Sequence, residues 1–137
     1  MKFAALYIFA ALLFAAGTGL QAQDAASRFQ KQHLVRTQQM LVQGLAPGNA
    51  EVQITTAQTI RDMQLEFPDE PFTALIDPLI TLVKLESANV TARLLGLLAL
   101  DGLHSDKGDI AIMAVMNATE NQSVKALCTA LTAKGLR

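Results

Sequence analysis

The chain has 137 residues, a net charge of −1 and only 17% charged residues, below the roughly 25% of an average domain. This length suits one domain, and the near-neutral balance argues against a nucleic-acid-binding protein, which needs a basic excess to neutralise phosphates. The low charge also excludes a solvated disordered tail. One cysteine, Cys128, cannot form an internal disulfide, so stability has to come from packing.

The N-terminus has three parts: a basic start at Lys2, an apolar run over residues 3–16, and small polar residues over 17–22. This pattern predicts a signal peptide over residues 1–22, cut after Ala22, and a protein that is periplasmic or secreted. The alternative is an uncleaved anchor, because the apolar run extended to Leu20 could just span a thin bilayer. After cleavage no membrane contact is expected, and the scarcity of aromatic side chains argues against sugar or single-strand binding.

The first helix of the mature chain is predicted over residues 24–43, followed by a loop to residue 48, and together these form an N-terminal cap from residue 23. At 100° per residue one side of this helix is predicted to be buried. The buried side carries Phe29, Leu34, Met40, Leu41 and Leu45. A polar stripe on the other side carries Arg28, Gln32, Arg36, Gln39 and Gln43.

Two further helices follow a Pro-Gly break. The second, over residues 50–66, has an inner face of Val52, Ala57, Ile60 and Met63. A rigid connector over residues 67–71 leads to the third helix. We expect that helix to bend at Asp77-Pro78, where Asp77 caps a fresh turn and proline suits the first position.

Residues 89–103 predict the central helix of the fold. Leucines at 94, 95, 97, 98, 100 and 103 surround its axis and leave a thin polar strip for Arg93 and Asp101. A helix that is apolar all round is a membrane span or an enclosed core helix, and the run from Leu94 to Leu100 is far shorter than the roughly 20 residues of a span. We therefore expect neighbouring helices to enclose it.

Two last helices complete an all-α chain of about six helices. Ser105 or Asp106 caps the fifth, and the sixth runs from Asn121 towards a stop at Gly135. The sixth helix places Val124, Leu127, Cys128 and Leu131 at the spacing of a buried stripe.

An internal repeat links three of these helices. Asn49, Asn89 and Asn121 each begin one and are predicted to cap it, at offsets of 40 and 32 residues. Three residues after each asparagine stands a small apolar residue followed by a long polar one, and seven residues after it stands a small one. The small residues are Thr56, Gly96 and Cys128. Periods of this size are typical of stacked helix pairs, and the small position predicts a close helix crossing at Gly96.

The segments 89–100 and 121–131 resemble the HEAT-repeat and armadillo-like family. Each reads as an amide turn, a short apolar residue with a basic one, and then alanine and leucine at helical spacing. The resemblance implies that residues 49–137 form antiparallel helix pairs stacked as a short α-solenoid, with protein binding as the usual role. The first copy, from Val52 to Ile60, lacks the arginine, and a compact six-helix fragment remains the alternative arrangement.

Two clusters and two single residues could carry chemistry, and each has a plainer interpretation. His104, Asp106 and Asp109 lie within six residues, as in a metal site, but they also suit a capping turn. Cys128 lies on an apolar stripe and is expected to be buried and inert rather than nucleophilic. His33 is expected to be a packed side chain. We therefore predict no catalytic, cofactor-binding or metal-binding residues. An acidic group lies at the connector before the third helix, where negative charge favours the start of a helix. It comprises Glu66, Asp69 and Glu70.

The expected function is protein binding by an exported helical-repeat protein that is not an enzyme and has no nucleic-acid partner. The binding surface is predicted on the first helix, because arginine is favoured at interfaces and its stripe is free of carboxylates. It comprises Arg28, Gln32, Arg36, Gln39 and Gln43. A solvated face is the plainer interpretation of that stripe. The alternative function is a small exported structural or accessory subunit that is stable only with its partner.

Overall fold

A computed structural model of the chain describes residues 24–135. That part is all-helical, with six α-helices, a short 3₁₀ turn at Thr73–Leu75 and no strand, which confirms the predicted class. The helices are α1 over residues 24–44, α2 Ala50–Glu66, α3 Ile76–Lys84, α4 Val90–Gly102, α5 Asp106–Ala118 and α6 Gln122–Gly135. The predicted signal peptide lies outside the described residues. Between residues 24 and 135 no helix is long and apolar enough to cross a membrane.

Side-chain caps define where most of these helices begin. The side-chain oxygens of Asn49, Asn89 and Asn121 each accept a hydrogen bond from the backbone N–H three residues on, at 3.2, 3.2 and 3.0 Å. Ser105 caps α5 in the same way, with its Oγ 3.0 Å from the nitrogen of Gly108. Such bonds satisfy N–H groups that the first turn of a helix leaves without partners. All three predicted asparagine caps are confirmed.

The described residues fall into two units, 24–37 and 38–135. In the described part of the first, residues 24–37, Leu34 is buried as predicted, but Phe29 is 74% exposed and His33 is also exposed. The predictions that these two side chains are packed are therefore wrong. Phe29 lies about 140° around the helix from Leu34, so one buried face cannot hold both.

In the second unit α4 is the central helix, as predicted. It packs against α2, α3, α5 and α6, and Leu97 and Leu100 are fully buried. A further contact joins α3 to α5. From α2 to α6, each helix therefore contacts the helix two places further along the chain. Leu94, Leu95 and Leu98 remain partly exposed, so the enclosure is incomplete.

Two other predictions about side chains in this unit are wrong. Val52 of α2 is 47% exposed, because the inward position is taken by Gln53, whose Nε2 donates to the carbonyl of Ala46 at 3.2 Å. Met40 is 71% exposed, since it lies about 100–140° around the helix from the buried leucines, Leu41 and Leu45.

The start of α3 also differs from the prediction. The 3₁₀ turn Thr73–Leu75 leads into this helix, which begins at Ile76 without a side-chain cap. Asp77 therefore caps nothing. Its carboxylate instead forms a salt bridge with the ammonium group of Lys107 in α5. Both side chains are largely exposed, so this pair contributes little to stability.

The recurrent small residues all lie in packed positions. Thr56 and Cys128 are buried, and Gly96 lies where α4 crosses α3. A Cβ added to Gly96 would stand 3.1 Å from Val83 Cγ1 and 3.2 Å from Leu82 Cδ2. The predicted close crossing at Gly96 is confirmed.

Candidate functional site

The five residues predicted to bind a partner are all exposed. Arg28, Gln32 and Arg36 lie in the first unit, and Gln39 and Gln43 lie in the second. In the first unit the exposed apolar side chains Phe29 and Val35 flank them on the helix, Val35 with 54% of its surface accessible. A binding surface must be exposed, but a solvated face without a partner is exposed as well. Partner binding by these five residues therefore stays a prediction.

The most developed polar cluster in the second unit centres on Arg93, which the sequence placed on the thin polar strip of the central helix. Its side chain is only 1% exposed. Its Nε donates to the carbonyl of Val83 at 3.1 Å, and its two terminal nitrogens donate to the carboxylate of Glu86 at 3.1 and 3.2 Å. One of those nitrogens also reaches the Thr119 hydroxyl at 3.3 Å. Four donated bonds satisfy most of the five N–H groups of a guanidinium.

This cluster joins the ends of three helices. Val83 lies in the last turn of α3, whose carbonyl groups have no partner within the helix, and Thr119 is the C-cap of α5. The Thr119 hydroxyl also accepts a bond from the backbone of Asn121, at the start of α6. Burying a guanidinium is costly unless its donors are satisfied, and here the fold supplies the acceptors. The cluster is thus a structural clamp.

Glu86 completes the clamp from its solvent side, where its side chain is 48% exposed. The Thr119 hydroxyl and then the Arg93 guanidinium lower the pKa of this carboxyl below its ordinary value of 4.5. Hydrogen bonds and positive charge both favour the ionised form. Glu86 is therefore ionised at neutral pH and keeps Arg93 paired.

Sequence reasoning missed this burial, although one signal could have found it. Gln53 and Arg93 both stand four residues after a capping asparagine, and each reaches back to a carbonyl of the segment before its helix. The corresponding residue of the third copy, Lys125, is exposed. A long polar residue in this register is therefore a candidate for an inward hydrogen bond rather than a surface group.

Two clefts lie beside these elements. One, of about 320 Å³, opens next to the clamp and is lined by Lys84, Glu86, Arg93, Ala114, Val115, Ala118 and Thr119. The guanidinium there is already engaged by Glu86, so it offers an incoming anion little. The other, of about 270 Å³, is lined by Asp101, Asp109, Ile112, Met113, Leu131, Thr132 and Gly135. Carboxylates and apolar side chains share its walls.

The turn before α5 is a capping turn, which was the plainer of the two interpretations of His104, Asp106 and Asp109. Ser105 supplies the cap, while Asp106 and Asp109 lie in the first turn, where the helix dipole favours negative charge. His104 adopts a left-handed backbone conformation with φ of 50°. Within residues 24–135 no three His, Cys, Asp or Glu side chains are grouped so that they could hold a metal ion.

Cys128 is fully buried in α6, in agreement with the prediction. Burial raises the pKa of its thiol, and the positive charge of Arg93 offsets this only in part. The thiolate is the nucleophilic form of cysteine, so a buried thiol with a raised pKa reacts poorly at neutral pH.

This burial predicts protection from a thiol reagent. In the native protein Cys128 is expected to react with a disulfide reagent about a hundredfold or more slowly than after unfolding in urea, because reaction requires opening of the fold. A matched control is A130C in a C128A background, since Ala130 is exposed on the same helix. Equal rates for the native Cys128 thiol and this control would contradict the burial.

No protein-family model matches this chain, and comparisons with curated proteins and with solved structures likewise found no significant match. The resemblance to HEAT and armadillo-like repeats therefore rests on this chain's own residues.

Proposed function

We propose that the protein is a short, exported, HEAT-like helical-repeat protein that binds another protein rather than catalysing a reaction. The packing of alternate helices carries the proposal. Contacts join α2 to α4 and α4 to α6 in one row, and α3 to α5 in a second, which is how stacked helix pairs are arranged. Such stacks offer continuous surfaces between the rows, and protein binding is their usual role.

The repeat register supports the same proposal. The asparagine caps of α2, α4 and α6 recur at one position, and the buried residues Thr56, Gly96 and Cys128 recur seven residues later. In the first two copies a polar side chain ties the helix to the segment before it. Repetition of both the cap and the packing position is expected when equivalent units stack.

The partner is predicted to bind the arginine stripe, the part of the predicted surface in residues 24–37 that carries Arg28, Gln32 and Arg36. This segment has three Lys and Arg against one Asp, and its exposed Phe29 adds apolar area beside Arg28 and Arg36. In an affinity pull-down from the exported fraction, read by mass spectrometry, R28A/R36A is expected to retain at most about a tenth of the partner captured by the wild-type protein. Loss of two interface arginines commonly costs more than about 1.4 kcal/mol, a tenfold change.

The matched control is R61A/K125A, which removes two exposed cations from α2 and α6 and leaves the stripe intact. It should capture as much partner as the wild-type protein. If R28A/R36A folds normally and still captures the partner, the stripe is a solvated face and binding must be sought on the connectors.

An accessory subunit that is stable only with its partner is the second candidate. It is favoured by large apolar side chains left exposed, among them Leu65 at 82% and Ile110 at 69%. In such a subunit the bound partner would cover these side chains. Size-exclusion chromatography separates the two: a binding module elutes as a stable monomer on its own, whereas the subunit aggregates unless the partner is present.

A further inference from the structure

The cleft among α4, α5 and α6 is a second feature that could receive a partner. Asp101 comes from the last turn of α4, Asp109, Ile112 and Met113 come from α5, and Leu131, Thr132 and Gly135 come from α6. Of the apolar residues, Ile112 is buried and Met113 is 49% exposed. The lining thus combines apolar side chains with carboxylates from two helices.

The carboxylates of this cleft are only partly neutralised. Lys134 forms a salt bridge with Asp101 at 3.9 Å, too long for a hydrogen bond, and within residues 24–135 Asp109 has no side-chain hydrogen bond or salt bridge. Residues 38–135 as a whole carry eleven Asp and Glu against six Lys and Arg. A basic partner is therefore attracted to this unit and can still form directed bonds at the rim.

The apolar part of the cleft determines which uncharged group the ligand must carry beside its cation. An apolar cavity of roughly 150 Å³ accepts a benzene-sized group. A cleft of about 270 Å³ therefore has room for one large apolar side chain together with the stem of a cationic one. Met113 suits such a site because its unbranched, polarisable side chain adapts to different shapes. Thr132 does not compete for the ligand, since its hydroxyl already donates to the carbonyl of Cys128 at 2.8 Å.

We propose that this cleft binds a segment of a partner protein in which a lysine or arginine stands next to a large apolar residue. The apolar side chain packs against Ile112, Met113 and Leu131, and the cation pairs with Asp101 and Asp109. The proposal deepens the proposed function and rests on it, because it adds a second contact for a protein partner, of opposite charge to the arginine stripe.

The test uses the purified protein, labelled with nitrogen-15, and the capped peptide Ala-Ala-Leu-Arg-Leu-Ala-Ala. Titration to about 5 mM, enough for millimolar affinity, should shift the backbone amide signals of Ile112, Met113, Leu131 and Thr132 in a saturable way. A peptide with Glu in place of Arg should leave them unchanged. D101N/D109N should weaken binding roughly fivefold, and M113Q, at a half-exposed position that tolerates a polar side chain, should weaken it as well.

The matched control is D69N/E70Q, which removes the same charge from the connector before α3 and should bind the peptide like the wild-type protein. The proposal is overturned if the peptide shifts no signals, if the shifts lie elsewhere, or if D69N/E70Q weakens binding as much as D101N/D109N. If the peptide titration fails while the wild-type protein still captures its partner in the pull-down, the cleft is not a binding site but the proposed protein-binding function stands. If the peptide binds as expected while R28A/R36A still captures the partner, the arginine stripe is ruled out instead and the cleft stands.

Discussion

Replacing Arg93 by methionine is expected to lower the free energy of unfolding by about 2–4 kcal/mol. Methionine keeps an unbranched apolar stem but donates no hydrogen bond. The buried carbonyl of Val83 then loses its donor, and the buried hydroxyl of Thr119 loses one of its partners. A buried acceptor left without a donor costs about 1–3 kcal/mol. The loss of the Glu86 pairing adds less to this destabilisation, because the half-exposed carboxylate can be hydrated once the guanidinium is gone.

The measurement is the urea midpoint, with the denaturant slope checked for constancy. R61M is the matched control: Arg61 is exposed on α2, so the same substitution should change stability by no more than about 0.5 kcal/mol. R93K should fall between the wild-type protein and R93M, because an ammonium keeps the charge but cannot reproduce the planar fork. Equal stability of R93M and R61M would show that the clamp contributes nothing.

The Glu86 side of the clamp has a pH signature. Because the pKa of Glu86 is lowered in the folded state, its contribution is fully present above its ordinary value of 4.5 and is lost as pH falls through the lowered value. E86Q should therefore be less stable than the wild-type protein at neutral pH, and the difference should fade as the solution is acidified below 4.5. A difference that does not change with pH would assign the effect of E86Q to something other than the charge.

Replacing Gly96 by leucine is expected to destabilise the protein by about 1–3 kcal/mol or more. Even the Cβ of the new side chain meets Val83 and Leu82 at distances tighter than ordinary van der Waals contact, and the remaining atoms have no free volume between α3 and α4. The two helices must move apart, or the side chains must leave their preferred rotamers. Thermal or urea unfolding measures the change.

Two further glycine variants sharpen this test. G96A should stay within about 1 kcal/mol of the wild-type protein, because the helix preference of alanine offsets a shift of a few tenths of an ångström in the neighbouring side chains. G135L introduces the same leucine where a Cβ would meet nothing within 4 Å, so little loss is expected. If G96L is as stable as G135L, the crossing tolerates a large side chain and the close approach has no energetic role.

The sequence by itself determined the local features of this protein. Helix α2 runs from Ala50 to Glu66 as predicted, and Asn49, Asn89 and Asn121 cap their helices as predicted. These features involve a side chain and a backbone group three residues away, so a short window of sequence contains both partners. The recurrent small position and the burial of Cys128 were also predictable, because a helical period of 3.6 residues relates buried positions along one helix. The exposure of the predicted binding stripe follows from the same periodicity.

Only the tertiary structure decided which polar and apolar side chains break that periodic rule. Arg93 is buried because its acceptors arrive from elsewhere in the chain, 7, 10 and 26 residues away. Val52 is exposed because Gln53 finds a carbonyl to bind in the preceding connector. The acidic cleft likewise needs three helices to exist at all. Periodicity shows which face of a helix is apolar, but the free energy of burying a polar group depends on the partners that the fold brings to it.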